Sequence, residues 1–199
     1  TNKKPYVIYG YAAVPPNKTA TFEEGTKVYF HANSGLIVAN KASIQVNGAV
    51  SSTDKLENEV VFKGDRLEPD FANASGQWGS IWLTDGSSNN TFSHLTIKNA
   101  TIGLLIQNND GTTVSIKNTQ IYNSSNYGIL AQNAKINGEN VVINNAGLAS
   151  LACTYGGSYK FTHSTFNNNW NSSKQVAVLV SNYISGAIPE VKALTAATF

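Results

Sequence analysis

The densest gathering of reactive side chains in this 199-residue chain is Asp65, Arg66, Glu68 and Asp70, followed at once by Phe71 and then by Trp78 and Trp82. An acidic loop beside two indoles could hold a sugar by stacking and hydrogen bonding, or ligate a calcium ion through carboxylate oxygens. Arg66 and Phe71 could instead anchor a protein partner, because recognition surfaces favour Arg and aromatic side chains. The structural reading is the stronger one. Lys63 to Ser75 then forms a Pro-containing insertion whose Arg66 pairs with a neighbouring carboxylate, and the Trp side chains pack on the body of the protein.

Catalysis asks for more than this loop offers. A calcium-dependent lyase needs several carboxylates converging on the metal and a basic residue to remove the proton next to a uronate carboxyl. An inverting hydrolase needs two carboxyl groups about 6.5 to 9.5 Å apart across the scissile bond. The chain has five Asp, seven Glu and a single Arg, and they rarely recur at one phase of the repeat described below. The sequence therefore leans away from an enzyme and assigns no catalytic residue, no metal ligand and no cofactor, with calcium the one ion the acidic loop would suit.

The remaining candidates are weaker. His94 and His163 stand 69 residues apart at equivalent repeat positions, three strands along the axis, so about 14 Å separates them and they cannot share a metal or a proton. They are expected on the outer face. His31 has no Cys or His near it at ligand spacing. Cys153 lies in an apolar run and reads as a small buried hydrophobe, and a single Cys excludes an internal disulfide. An ice-binding ladder of Thr is broken, since Thr96 and Thr165 share a phase but Gln120 intervenes.

Composition sets the class. The hydrophobic share of 41% argues against disorder, and charged residues are only 13%, about half the usual fraction. The exposed surface must therefore be built from neutral Asn, Ser and Thr. A net charge of +2 with no Lys and Arg cluster is too small to suggest nucleic acid or an anionic membrane as a partner. No run of 18 apolar residues could form a transmembrane helix. With no Met anywhere, the chain is expected to begin after a processed segment.

The elements that must position these residues follow from an internal repeat. Phe92 to Asn99 returns as Phe161 to Asn168, with looser copies at Ile116 to Asn123 and Gly138 to Asn145, in steps of 24, 22 and 23 residues. A second unit, Gly103 to Asn108, returns at Gly128 to Asn133 and again at Ala177 to Asn182. Each copy is two or three short runs rich in Ile, Val, Thr and Phe, separated by Asn, Gly and Ser, without the spaced leucines of a leucine-rich repeat. This predicts an all-β, right-handed parallel β-helix solenoid of about eight coils, 22 to 25 residues each. Phe92, Ile116 and Phe161 should form one inward column, and Ile97, Ile121, Ile143 and Phe166 another. Asn99, Asn123, Asn145 and Asn168 should stack at a turn, where Asn tolerates a left-handed backbone and bonds to the next coil.

Residues 1–20 read as a leader that caps the first coil through Tyr6, Ile8 and Tyr11, and 21–199 as the solenoid. Val191 to Phe199 begins another strand-like run without a capping element, an open edge that a further coil or a partner is expected to cover.

The succession Thr26 to His31, Gly35-Leu36-Ile37-Val38, Gln45-Val46-Asn47-Gly48, Gly64-Asp65-Arg66-Leu67-Glu68 and Gly76-Gln77-Trp78-Gly79 resembles the right-handed parallel β-helix surface lipoproteins of Bacteroidota. The likeness covers about residues 5–185 and is most specific in the first half. It implies a pectin-lyase-like fold, export, and a lipid-anchored place at the outer-membrane surface through a segment absent from this sequence. It carries no catalytic residue over. The function expected is a non-enzymatic cell-surface module that binds other outer-membrane or secreted proteins. The alternative is a β-helix that binds or degrades a polysaccharide.

Overall fold

Strands form where β-branched and aromatic residues alternate with polar ones, and most left-handed residues between and within them are Asn, Gly or His. The computed structural model describes residues 2, 4–109, 111–168 and 173–182. Among the described residues sixteen strands join in parallel ladders, and the one helix is a short 3-10 turn at Pro69–Phe71. The strands stack as a three-faced β-solenoid of about seven turns, one fewer than the repeat predicts for the whole chain. The last stretch, from residue 183, lies outside the described residues, and so does the expected open edge at Val191 to Phe199.

Face I stacks β1 (Tyr6–Ile8), β4 (Lys27–Phe30), β7 (Val60–Gly64), β10 (Leu95–Lys98), the end of β12 (Val114–Ser124), the end of β13 (Tyr127–Ala146) and β15 (Thr165–Asn167). Face II stacks β2 (Tyr11–Val14), β5 (Gly35–Val38), β8 (Trp78–Leu83), β11 (Ala100–Gln107), the start of β13, the start of β14 (Ala149–Thr162) and β16 (Val176–Ser181). Face III stacks β3 (Thr19–Glu23), β6 (Ser43–Asn47), β9 (Thr91–Ser93), the start of β12, the middle of β13 and the end of β14.

Inward columns fill the prism. On face I, Phe62 pairs in register with Ile97, Ile97 with Ile121, Ile121 with Ile143 and Ile143 with Phe166. On face III, Val46 pairs with Phe92 and Phe92 with Ile116, and Gly138 intervenes before Phe161. Both expected columns are therefore present. Gly138 has a local reason to lack a side chain, because a Cβ there would lie 2.2 Å from the Phe161 ring.

The corners carry the left-handed residues. Between faces I and II they are Asn99, Asn123 and Asn145, at φ of 66°, 58° and 58°. The Asn145 side-chain amide donates to Asn123 Oδ1 at 3.3 Å, as the stacked-Asn reading requires. Asn168 accepts from the backbone N–H of Ala146 at 3.1 Å. Between faces III and I the corner column is His94, Asn118, Asn140 and His163, again all left-handed. The two histidines thus hold equivalent corner positions, His163 exposed and His94 half-buried under Asn118.

Two departures from the expected plan have local causes. The segment read as a capping leader is itself the first turn: Tyr6 pairs with Val28, Tyr11 with Gly35 and Thr19 with Ser43. Ile8 packs on the core, whereas Tyr6 and Tyr11 are half exposed. The second departure is an additional insertion, residues 48–59 between β6 and β7, so that Val28 pairs with Phe62, 34 positions on, instead of about 23. This loop folds around the Glu57 carboxylate, which accepts from Ser52 N–H at 2.9 Å, Ser52 Oγ–H at 2.8 Å and Thr53 Oγ1–H at 2.8 Å. Those bonds, led by the one from its own backbone N–H, hold Glu57 at about 2.

Candidate functional site

The insertion expected at Lys63 to Ser75 runs from residue 65 to 77, because Lys63 and Gly64 still belong to β7. Asp65 leaves the strand and turns back along the axis, where its carboxylate lies 2.7 Å from Nδ1 of His31, one turn earlier. The Tyr9 ring, a further turn earlier, sits 4.8 Å from the His31 ring. Arg66 pairs with Glu68 at 3.3 Å and lays its guanidinium 3.8 Å over the centre of the Phe71 ring. Glu68 is held below its ordinary value first by its own backbone N–H, with Arg66 adding to the effect. Asp70 is exposed in the 3-10 turn.

The rest of the insertion is tied down. Gln77 donates its amide to the carbonyls of Phe71 and Ala74 at 2.6 and 2.9 Å. Asn99 donates to Ala72 and Ala74, and Asn123 donates to Asn73. The insertion is thus the lower end of the Asn stack, and its Arg and aromatic groups engage one another.

The two indoles part company. Trp78 is 1% exposed, stacks on Phe30 at 4.1 Å with the planes 8° apart, and donates its N–H to the Lys98 carbonyl. It is a core residue and offers no stacking platform to a ligand. Trp82 points outward between fully buried Ile81 and Leu83. Positions four apart on a regular strand share a face. These two do not, because the register shifts between Ser80 and Ile81 opposite Ile102 and Leu104. Of the expected set, Arg66, Glu68 and Phe71 therefore stay together, whereas Asp65 turns to His31, Trp78 enters the core and Trp82 faces outward on face II. Among the described residues no three His, Cys, Asp or Glu side chains gather where they could hold a metal ion.

Trp82 belongs to a different surface. Ile37 pairs with Trp82, Trp82 with Leu105 and Leu105 with Leu130, so four large apolar side chains occupy the outward phase of successive strands on face II. Each is half-buried against its neighbours. Four strands at about 4.8 Å spacing make a strip about 14 Å long. Along one margin runs a hydrogen-bonded row: Trp82 Nε1–H donates to Gln107 Oε1 at 2.7 Å, and Gln107 Nε2–H donates to Gln132 Oε1 at 2.7 Å.

Along the other margin lies a groove of about 300 Å³ lined by Tyr11, Asn33, Gln77, Gly79 and Ile102. Tyr11 lies across the glycines of the next two turns. A Cβ at Gly79 would stand 2.1 Å from its hydroxyl, and one at Gly35 2.5 Å from its ring. No Asp, Glu, Lys or Arg occurs in β2, β5, β8 or β11, or in residues 127–132 of β13.

The sequence held a signal for this strip. Leu105 and Leu130 sit at the same place in the repeated units Gly103 to Asn108 and Gly128 to Asn133, one position after an inward leucine or isoleucine. Cys153 is buried and free, and burial pushes its thiol up to about 12. No family model, curated protein or solved structure matches this chain.

Proposed function

We propose that this protein is a non-enzymatic interaction module of the cell surface, a rigid β-solenoid that holds another outer-membrane or secreted protein against face II. The observation that carries the reading is the outward row Ile37, Trp82, Leu105 and Leu130. On a solvated strand face, alternation puts polar groups in these positions. A neutral apolar strip with a Trp at its centre and a Tyr-lined groove beside it has the composition of an interface core, where charges are depleted and aromatics enriched. The insertion at 65–77 is the lesser surface in this account, because Arg66, Glu68 and Phe71 already satisfy one another. Placement at the outer membrane rests on the resemblance to Bacteroidota surface lipoproteins, and it agrees with a neutral Asn, Ser and Thr exterior.

The test uses tagged protein and detergent-solubilised outer membrane of the source cells. Trp82→Ala and Leu105→Glu should each abolish co-purification of a specific partner while the dichroism spectrum stays that of the parent. Leu67→Glu, at an exposed site away from the strip, should leave capture intact. Equal capture by all forms would remove face II from the account. Turnover of a polyuronide, seen as unsaturated product or new reducing ends, would replace the reading with an enzymatic one.

A further inference from the structure

Face I carries an arrangement that the partner-binding strip does not use. On its outward side Tyr29 pairs with Lys63, and Lys98 pairs with Tyr122. Phe62 pairs with Ile97, so Lys63 and Lys98 stand side by side on adjacent strands, about 4.8 Å apart at the backbone. Each ammonium lies over a tyrosine: Lys63 at 5.4 Å from the Tyr29 ring centre and Lys98 at 5.8 Å from that of Tyr122. Lys27, next in the groove, is held by the carbonyls of Leu56 and Glu59. The additional insertion, through Asp54, Lys55 and Leu56, forms the far wall, and the groove between has a volume of about 250 Å³.

Like charges directly opposite on neighbouring strands are destabilising. Among the described residues neither Lys63 nor Lys98 forms an ion pair with a carboxylate. Burial, with the neighbouring Lys98 adding to it, lowers the pKa of Lys63. An edge strand often carries lysines to deter aggregation, but β7 and β10 are interior strands with ladders on both sides.

We propose that this groove binds an acidic oligosaccharide, with Lys63 and Lys98 meeting its anionic groups and Tyr29 packing on a sugar face. Tyrosine rings offer flat apolar area with a polar tip, and ammonium groups suit carboxylate or sulfate as point charges. A nucleic acid would need a longer basic track than three or four lysines with Asp54 and Glu59 beside them. The groove lies on a different face from the strip, so either can fail alone.

The experiment is calorimetric titration of the full chain with three probes of equal length: an oligogalacturonate, a sulfated oligosaccharide, and a neutral oligosaccharide. The expected result is binding of at least one acidic probe and none of the neutral one, with affinity lowered at least about tenfold by K63Q/K98Q. Relief of repulsion should leave that double variant no less stable than the parent, so a loss of binding reports on the site and not on unfolding. Tyr29→Leu should weaken binding while keeping both charges. Lys160→Gln, an exposed lysine on β14, should have no effect. Preference for the uronate or for the sulfate decides which acid the groove takes. The proposal is overturned if neither acidic probe binds, if K63Q/K98Q binds as tightly as the parent, or if Lys160→Gln loses as much affinity.

Discussion

The indole N–H of Trp82 donates to Gln107 Oε1 at 2.7 Å, one strand further along face II. Because Gln107 in turn donates to Gln132, the only polar atom of the indole is satisfied within the protein and the ring is fixed before any partner arrives. Preorganised aromatic anchors lose less entropy on binding. Gln107→Ala should cost about 1 kcal/mol of stability, and should also shift Trp82 emission to the red. Urea unfolding checks the first, and the difference spectrum between forms with Trp82 and with Trp82→Phe, taken with and without Gln107→Ala, checks the second.

Trp78 and Trp82 make an internal comparison of inward and outward positions. Trp78→Ala removes a core ring stacked on Phe30 and should destabilise by roughly 3–5 kcal/mol. Trp82→Ala leaves the core intact and should cost about 1 kcal/mol or less. Denaturant midpoints of the two variants measure the difference, and equal losses would mean that the register shift in β8 is misplaced.

At the corner between faces I and II, Asn123 holds a φ of 58° and both donates to Asn73 and accepts from Asn145. Asn123→Ala loses these bonds and must hold a left-handed backbone, at a cost of about 2 kcal/mol. Asn123→Gly loses only the bonds and should recover about half of that stability.

Much of this architecture is legible in the residues themselves. The columns through Ile97 and Phe92, and the Asn stack, follow from a period near 23 combined with strand alternation, and both are local properties of the chain. What escapes is whatever breaks phase. The register shift inside β8 sends Trp78 and Trp82 to opposite sides, and nothing in Gly79-Ser80-Ile81 announces it. The insertion at 48–59 is built from small polar residues of the kind found at every corner, so it looks like an ordinary turn. Asp65 and His31 are 34 positions apart and meet only because that insertion lengthens the turn. The paired lysines were hidden for the same reason, since β7 and β10 are separated by the second insertion.

Glu57 sets the acid response of the 48–59 loop. Its folded value of about 2 lies below the ordinary 4.5, so its ionised form favours the folded loop. That contribution is complete above pH 4.5 and is lost as the pH falls through about 2. Protection of the amides in residues 48–59, measured against their intrinsic exchange rates, should therefore fall only over this acid window, and Glu57→Gln should show the low protection already at neutral pH. Loop exchange that is indifferent to both changes would contradict the assignment.

The claim on which the account turns is that face II is covered by a protein at the cell surface. A photo-crosslinking amino acid placed at Leu105 in the source cells, irradiated in place, asks this directly. The account predicts one discrete crosslinked species from Leu105, repeated from Ile37 and absent from Leu67 and Lys160. No crosslink at Leu105, or the same products from all four positions, would contradict it.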